Sequence, residues 1–233
     1  MTFKLAVKTI AKRHGLYASF MPKPKTGVNG SGMHINMSLA RDGVNVFYDG
    51  QDCNHLSKEG YWFIGGIMKH IAAITAIANP LVNSYKRLVP GYEAPVYIAW
   101  SMRNRSPLIR IPAQTGTTQR IELRSPDSAT NPYLAIAVCL AAGLDGIERR
   151  LELQAPINKN LFDPAVAADL GLEKLPSTLE EAVQAAQESD FLRAVLPEEL
   201  SHRYYEEELK RCAALKNAAD PAEYERIHYF NAI

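Results

Sequence analysis

The three cysteines, Cys53, Cys139 and Cys212, are far apart, odd in number and in no CxxC pair. That spacing points to a reducing cytoplasm and away from structural zinc. There is no Walker-type phosphate loop and no GxSxG elbow, and no Cys/His pair offers a nucleophile. None of the six histidines is paired with another at metal-ligand spacing. Long apolar runs are also missing. Tyr61 to Ala78 is broken by Lys69 and His70, and Leu134 to Leu144 is only eleven residues, too short for a bilayer. Met1 to Lys12 alternates charged and apolar residues, unlike a signal peptide. The net charge of +1 gives no reason to expect nucleic acid or an anionic membrane as partner. The expectation is a soluble, cytoplasmic chain.

What is present is a chain of 233 residues, 47% hydrophobic, enough to bury a substantial core in one large domain or two small ones. Its charge is uneven. Leu81 to Ser125 carries seven Lys/Arg against two acids, while Asp145 to Ile233 carries ten against eighteen. A basic block beside an acidic tail points weakly to an anionic ligand.

Helical spacing of Phe3, Val7, Ile10 and Ala11, with Gly15 as a C′ glycine, predicts an opening helix over 3–14. Tyr17 to Met21 reads as a strand, and the Pro22, Pro24, Gly27, Gly30 run as a loop. Ser31 to Leu39 alternates, with Met33, Ile35, Met37 and Leu39 facing one way and His34, Asn36 and Ser38 the other. A short strand at 45–48 follows an Asp42-Gly43 turn. Glu59 to Asn79 is expected as a buried helix stopped by Pro80, and Leu81 to Pro95 as a loop. Strands are predicted over 95–101, 107–111 and 119–125. The remainder is helical, starting from an Asn131 N-cap with Pro132 at N1. Ser177 with Glu180 and Asp220 with Glu223 form predicted capping boxes. With no repeat or linker visible, the expectation is one α+β unit over 1–233. Its sheet is largely antiparallel, residues 1–130 bear the site, and 131–233 are mainly helical.

Polar-out alternation at His34, Asn36 and Ser38 is ordinary for an antiparallel strand. The preceding Asn29-Gly30-Ser31-Gly32 adds a glycine-rich entry where backbone N–H groups can approach a ligand. Arg120, Glu122 and Arg124 share one strand face, with Arg103, Arg105 and Arg110 on the preceding strands and Arg87 before them. Such clustering of guanidinium groups is unfavourable unless an anion sits among them, and the Arg fork suits carboxylate and phosphate. Glu122 is a counter-ion or a ligand for a hard metal. A carboxylate with one imidazole, His34, suits Mg²⁺ or Mn²⁺ better than a zinc cage. His70, mid-helix, reads as a packed core histidine. The chemistry on offer is electrostatic, with cations placed around a phosphoryl group in transfer.

Phe20-Met21-Pro22-Lys23-Pro24, then Asn29 to His34, and the run Asn83 to Pro95 resemble the signature segments of glutamine synthetases. So do Asn104-Arg105-Ser106 with Arg110, the run Arg120 to Arg124, and Asp127 with Asn131-Pro132-Tyr133. The likeness is to the bacterial type I enzyme and covers essentially the whole chain. It implies the C-terminal part of that family's guanido-kinase-like catalytic domain. It also implies ligation of ammonia to the γ-carboxyl of glutamate, with ATP as substrate, through γ-glutamyl phosphate. By resemblance His34 and Glu122 bind the metal, Mg²⁺ or Mn²⁺. Asn36 and Ser38 lie along the nucleotide, and Arg105, Arg110 and Arg120 lie at the phosphates. Asn29, Gly30, Arg87, Glu93, Arg105 and Arg124 match glutamate-binding positions. Glu93 matches an acid on a closing loop that binds ammonium and takes its proton, and Glu93 and Arg105 are the catalytic pair. The family's other metal carboxylates and its small N-terminal domain would lie before Phe3. The expectation is therefore a C-terminal portion that is inactive alone, from a subunit that forms a double-ring dodecamer. Phe162 stands where some relatives carry an adenylylated tyrosine. The competing readings are a ligase for a polyamine or other amine, and a non-catalytic module derived from the family.

Overall fold

The computed structural model describes residues 1–113 and 116–230. Helix α1 (Thr2–Arg13) opens the chain, and Gly15 beyond it takes φ +70°, the left-handed conformation expected at a C′ glycine. No strand forms over Tyr17 to Met21. Alternation alone makes no strand without a partner backbone, and this segment is instead tied down by the Ser19 hydroxyl, which donates to the Phe230 carbonyl at 2.8 Å.

Strand β1 (Ile35–Met37) follows, then a hairpin of β2 (Ala40–Arg41) and β3 (Val44–Asn45). Asp42 and Gly43 both take positive φ, 52° and 78°, as a two-residue type I′ turn requires. Helix α2 (Lys58–Ala78) is capped by the Ser57 hydroxyl, which accepts from the Gly60 N–H. Helix α3 (Val82–Arg87) occupies part of the segment expected as loop. Its N-terminal turn is closed by the Ser84 hydroxyl, which accepts from the Leu81 N–H at 3.1 Å. Strands β4 (Trp100–Met102), β5 (Ile109–Ile111) and β6 (Ile121–Leu123) complete the sheet elements. All three are shorter than their alternating patterns predict.

Among the described residues six α-helices follow, α4 (Pro132–Arg149), α5 (Pro164–Asp169), α6 (Leu179–Glu188), α7 (Asp190–Val195), α8 (Glu198–Lys216) and α9 (Pro221–Glu225), and then a π-helical turn at Arg226–Phe230. The Asn131 cap forms as read, and Asp220 also accepts from two backbone N–H groups, but the expected box with Glu223 does not close, because the Glu223 carboxylate accepts from Arg226. The box before α6 sits one residue later than expected. Thr178 accepts from the Glu181 N–H, and the Glu181 carboxylate accepts from the Ser177 N–H.

The main sheet runs β1-β6-β5-β4, antiparallel except for the parallel β4–β5 pair. The alternation in 33–39 holds: Ile35 is buried and Met33, Met37 and Leu39 are half-buried, while His34, Asn36 and Ser38 are exposed. Ile35, Ile109, Ile121 and Leu123 turn the sheet's inner face onto α2, whose Phe63, Ile64, Ile67 and Ile74 are fully buried. Burial of each such side chain contributes about 1.5–3 kcal/mol. By length and composition α2 could cross a membrane, but here it is the core helix, packed against α4 and α6. Where α2 crosses α4, Gly66 faces Gly146, and a Cβ on Gly66 would overlap the Ala142 carbonyl oxygen. His70 is the packed histidine anticipated, 2.8 Å from the Asp145 carboxylate and stacked on Phe191.

Candidate functional site

The outer face of the sheet is polar because the register makes it so. Asn36 pairs with Glu122 and Glu122 with Arg110, placing the three side by side across β1, β6 and β5. Glu122 is 5% exposed. Arg110 donates to its Oε2 through Nε at 2.6 Å and also through its second guanidinium nitrogen. His34 Nδ1 lies 2.7 Å from Oε1. Burial pushes the Glu122 carboxyl up, but the hydrogen bonds and charges of Arg110 and His34 outweigh it and hold the group below the usual range. Burial also pulls His34 below the ordinary imidazole value, despite the bond to Glu122. The ring is therefore neutral at pH 7, with Nδ1–H donating to Glu122 and Nε2 presenting a lone pair. That tautomer is the one in which a histidine oriented by a carboxylate ligates a metal.

Both shifts make acid destabilising. From about pH 6.5 downward the unfolded chain takes a proton at His34 that the folded chain resists. Below about pH 4.3 the stabilisation from ionised Glu122 is lost as the pH falls through its depressed folded value. The expected result is a urea midpoint with two acid-side steps of loss between pH 8 and 3, the upper one partly offset by Glu208, whose carboxyl is raised by burial to about 7 and which gains stability as the pH falls. His34→Gln should flatten the upper step, and an unchanged upper step would remove His34 from this account.

Beside this cluster is a cavity of about 250 Å³, lined by Asn29, Gly30, Gly32, His34, Arg87, Tyr92, Glu93, Ala94 and Arg124. Its back wall is two buried arginines, each 4% exposed. Arg87 donates to the carbonyls of Ser125 at 2.6 Å and Arg124 at 3.2 Å. Arg124 donates through Nη1 to the Arg105 carbonyl, and its buried Nε has no partner. Burial lowers the pKa of Arg124, and neighbouring Arg110 and Arg87 add to the effect while Glu122 opposes it. A bound anion would relieve that repulsion. Beneath Arg87 lies fully buried Asp127, whose carboxylate accepts from Asn79 Nδ2 at 2.9 Å and from the Ala129 N–H at 2.9 Å. Gly30 allows the entry loop to sit this close, since a Cβ there would overlap the Pro22 carbonyl oxygen.

The structure thus brings together Asn29, Gly30, His34, Arg87, Glu93 and Arg124 around one cavity, with Glu122 and Arg110 adjoining. Arg120 Nε donates to Asn36 Oδ1 at 2.9 Å along the same face, and Ser38 is exposed on it. Arg105 is exposed and does not line the cavity, so only its carbonyl meets the pocket residues. Gly32 belongs to the glycine-rich entry read from sequence, whereas Tyr92 and Ala94 were given no role there, although both lie inside the quoted motifs. Among the described residues no group of three or more His, Cys, Asp or Glu converges.

Fold and site define an α+β unit in which buried arginines line a cavity beside a carboxylate–histidine pair. Residues 1–227 match the family described as glutamine synthetase, catalytic domain, and the chain belongs to that family. It is 53% identical over 206 residues to the glutamine synthetases of Clostridium saccharobutylicum and Methanosarcina mazei, covering 88% of this chain and 46% of each relative. To that of Staphylococcus aureus it is 50% identical over 205 residues, 87% of this chain and 46% of the relative. The solved structures "Apo GmaS without ligand" and "GmaS/ADP complex-Conformation 1" superpose with TM-score 0.85 at 36% identity. They cover 97% of this chain and 51% and 52% of their own. The chain spans about half the length of the curated relatives it matches.

Proposed function

We propose that the chain supplies the glutamate and phosphate side of a cytoplasmic glutamine synthetase site. There ammonia is joined to the γ-carboxyl of L-glutamate, with ATP consumed, through γ-glutamyl phosphate. The observation that carries this is the cavity backed by two buried arginines, one with an unpartnered Nε. At about 250 Å³ it lies below the roughly 300–1,000 Å³ of drug-sized sites and suits an amino acid, leaving the nucleotide on the open sheet face. Asn29, Gly30 and Arg124 hold glutamate, and Arg87 braces the wall behind it. Arg110 and Arg120, with Asn36 and Ser38, lie toward the phosphates and nucleotide, with Arg105 at the rim.

Glu93, at the cavity mouth, attracts ammonium and accepts its proton. His34 and Glu122 would hold one edge of Mg²⁺ or Mn²⁺. One imidazole and one carboxylate fit an ion that keeps water and phosphate oxygens as its other ligands. When bound, such an ion neutralises charge on the transferring phosphate. An acyl phosphate hydrolyses unless water is excluded, so the loop carrying Glu93 must close over the pocket. A homo-oligomer, the double-ring dodecamer of the family, is the expected setting for the site.

A ligase for a bulkier amine is the competing reading, and the small cavity with anionic Glu93 at its mouth favours ammonium. Calorimetric titration of this chain with L-glutamate in the presence of Mg²⁺-ATP tests the proposal. Binding is expected, with affinity reduced at least about tenfold in Arg124→Met and no γ-glutamyl transfer by these residues alone. A chain that binds neither ligand overturns the reading. Where ligation is measurable, faster product formation with putrescine than with ammonium would select the amine ligase.

A further inference from the structure

Besides Arg124 and His34, three segments line the cavity: the Asn29-Gly30 loop, helix α3 with Arg87, and the loop from Val89 to Ala94 that bears Tyr92 and Glu93. Lys23 touches all three without lining the cavity. Its backbone is fixed to α3, because Lys23 N–H donates to Asn83 Oδ1 at 2.7 Å and Asn83 Nδ2 donates to the Lys23 carbonyl at 3.0 Å. Its side chain then runs behind the pocket, 8% exposed as a residue. There Nζ donates to the Val28 carbonyl, immediately before Asn29. The same ammonium sits 3.9 Å from the centroid of the Tyr92 ring.

We propose that Lys23 is a positioning residue that clamps the Glu93-bearing loop to the substrate loop through the face of Tyr92. The rest of the loop is anchored at its ends, by the Val89 N–H to the Arg87 carbonyl and by buried Ala94, but not between them. Pro90, Gly91 and Glu93 are exposed, and Gly91 takes φ +86°. Tyr92 is half-buried and supplies the ring. An ammonium on an aromatic face strengthens as water is excluded, and Lys23 is almost wholly covered. Burial, followed by the nearby Arg87 charge, lowers its pKa, as expected for a cation held by a carbonyl and a ring rather than by a carboxylate. Since Val28 precedes Asn29 and Tyr92 precedes Glu93, the clamp sets the gap between a glutamate-binding position and the proposed ammonium-binding acid.

The functional meaning rests on the reading of Glu93 given above, but the clamp can be measured without any activity. Hydrogen–deuterium exchange over residues 88–94 is the readout, in the full chain. Lys23→Met is expected to speed exchange there about tenfold, with α2 amides unchanged. Lys23→Arg, which keeps a cation over the ring, is expected to restore protection. Tyr92→Leu should match Lys23→Met, and the double variant should add nothing further. Unchanged exchange in Lys23→Met, or no rescue by arginine, overturns the clamp. If exchange responds as expected but glutamate affinity is the same in wild type and Lys23→Met, the clamp stands and the role assigned to the loop in the ligase site falls.

Discussion

Glu122→Ala should lower activity in any form of the protein that ligates glutamate by about 100-fold or more, and should destabilise the chain as well. The carboxylate is the shared acceptor of Arg110 and His34 and the nearest counter-charge to Arg124. Its removal leaves half-buried Arg110 and buried Arg124 facing each other without that counter-charge, a change that costs up to about 3–5 kcal/mol. Glu122→Gln separates the two effects. It keeps the shape and one acceptor but removes the charge, so it should recover part of the stability and little of the activity. Urea denaturation and a phosphate-release assay on the same preparations give both numbers. Activity within threefold of wild type in Glu122→Ala would remove the residue from the chemistry.

The second large effect lies far from any ligand. Gly→Ala inside a helix ordinarily stabilises by about 0.5–1 kcal/mol. At Gly66 the sign should reverse. A Cβ there overlaps the Ala142 carbonyl and lies 2.7 Å from the Gly146 nitrogen, so the backbones of α2 and α4 must separate. Gly146 meets the Trp62 carbonyl in the same way. Overpacking against a rigid backbone, where no side chain can swing aside, places the cost at or above about 3 kcal/mol. Gly66→Ala should therefore lower the urea midpoint sharply. At Gly15, where φ is positive but no atom lies near, alanine should cost only local strain. A Gly66→Ala chain as stable as wild type would show that the two helices can part freely.

Much of the site was legible because its residues come in periodic or clustered patterns. The 33–39 alternation put His34, Asn36 and Ser38 outward, and the arginine clustering anticipated a carboxylate held among guanidinium groups. What escaped depends on partners distant in sequence. Tyr17 to Met21 has strand character but no strand beside it. Helix α3 is six residues long, between Pro80 and Pro90, and owes its start to the Ser84 hydroxyl rather than to periodicity. Arg87 reads as a ligand-contacting fork and lines the cavity, and it also donates to the Ser125 and Arg124 carbonyls, a fact no local pattern carries. Arg105 sits in a motif, but its side chain points to solvent while its carbonyl meets Arg124. Lys23 shows no signal beyond a Pro-Lys-Pro run, because its role arises only when Val28 and Tyr92 converge on it.

The His34–Glu122 contact joins residues 88 positions apart, and β1 and β6 meet across the same span, with α2 and α3 between them. Closing so long a loop is entropically unfavourable until other contacts have formed, and such pairings dominate the slow steps of folding. Helices α2 and α4 form from local bonds and need no such closure, although their crossing, Gly66 on Gly146, spans a loop of similar length. In refolding, helical signal should therefore recover ahead of the β1–β6 zipper, and an anion-binding pocket should appear only in the last phase. On the proposed function, glutamate added during refolding should leave the early helical phase untouched and act on the final one alone, slowing its reversal.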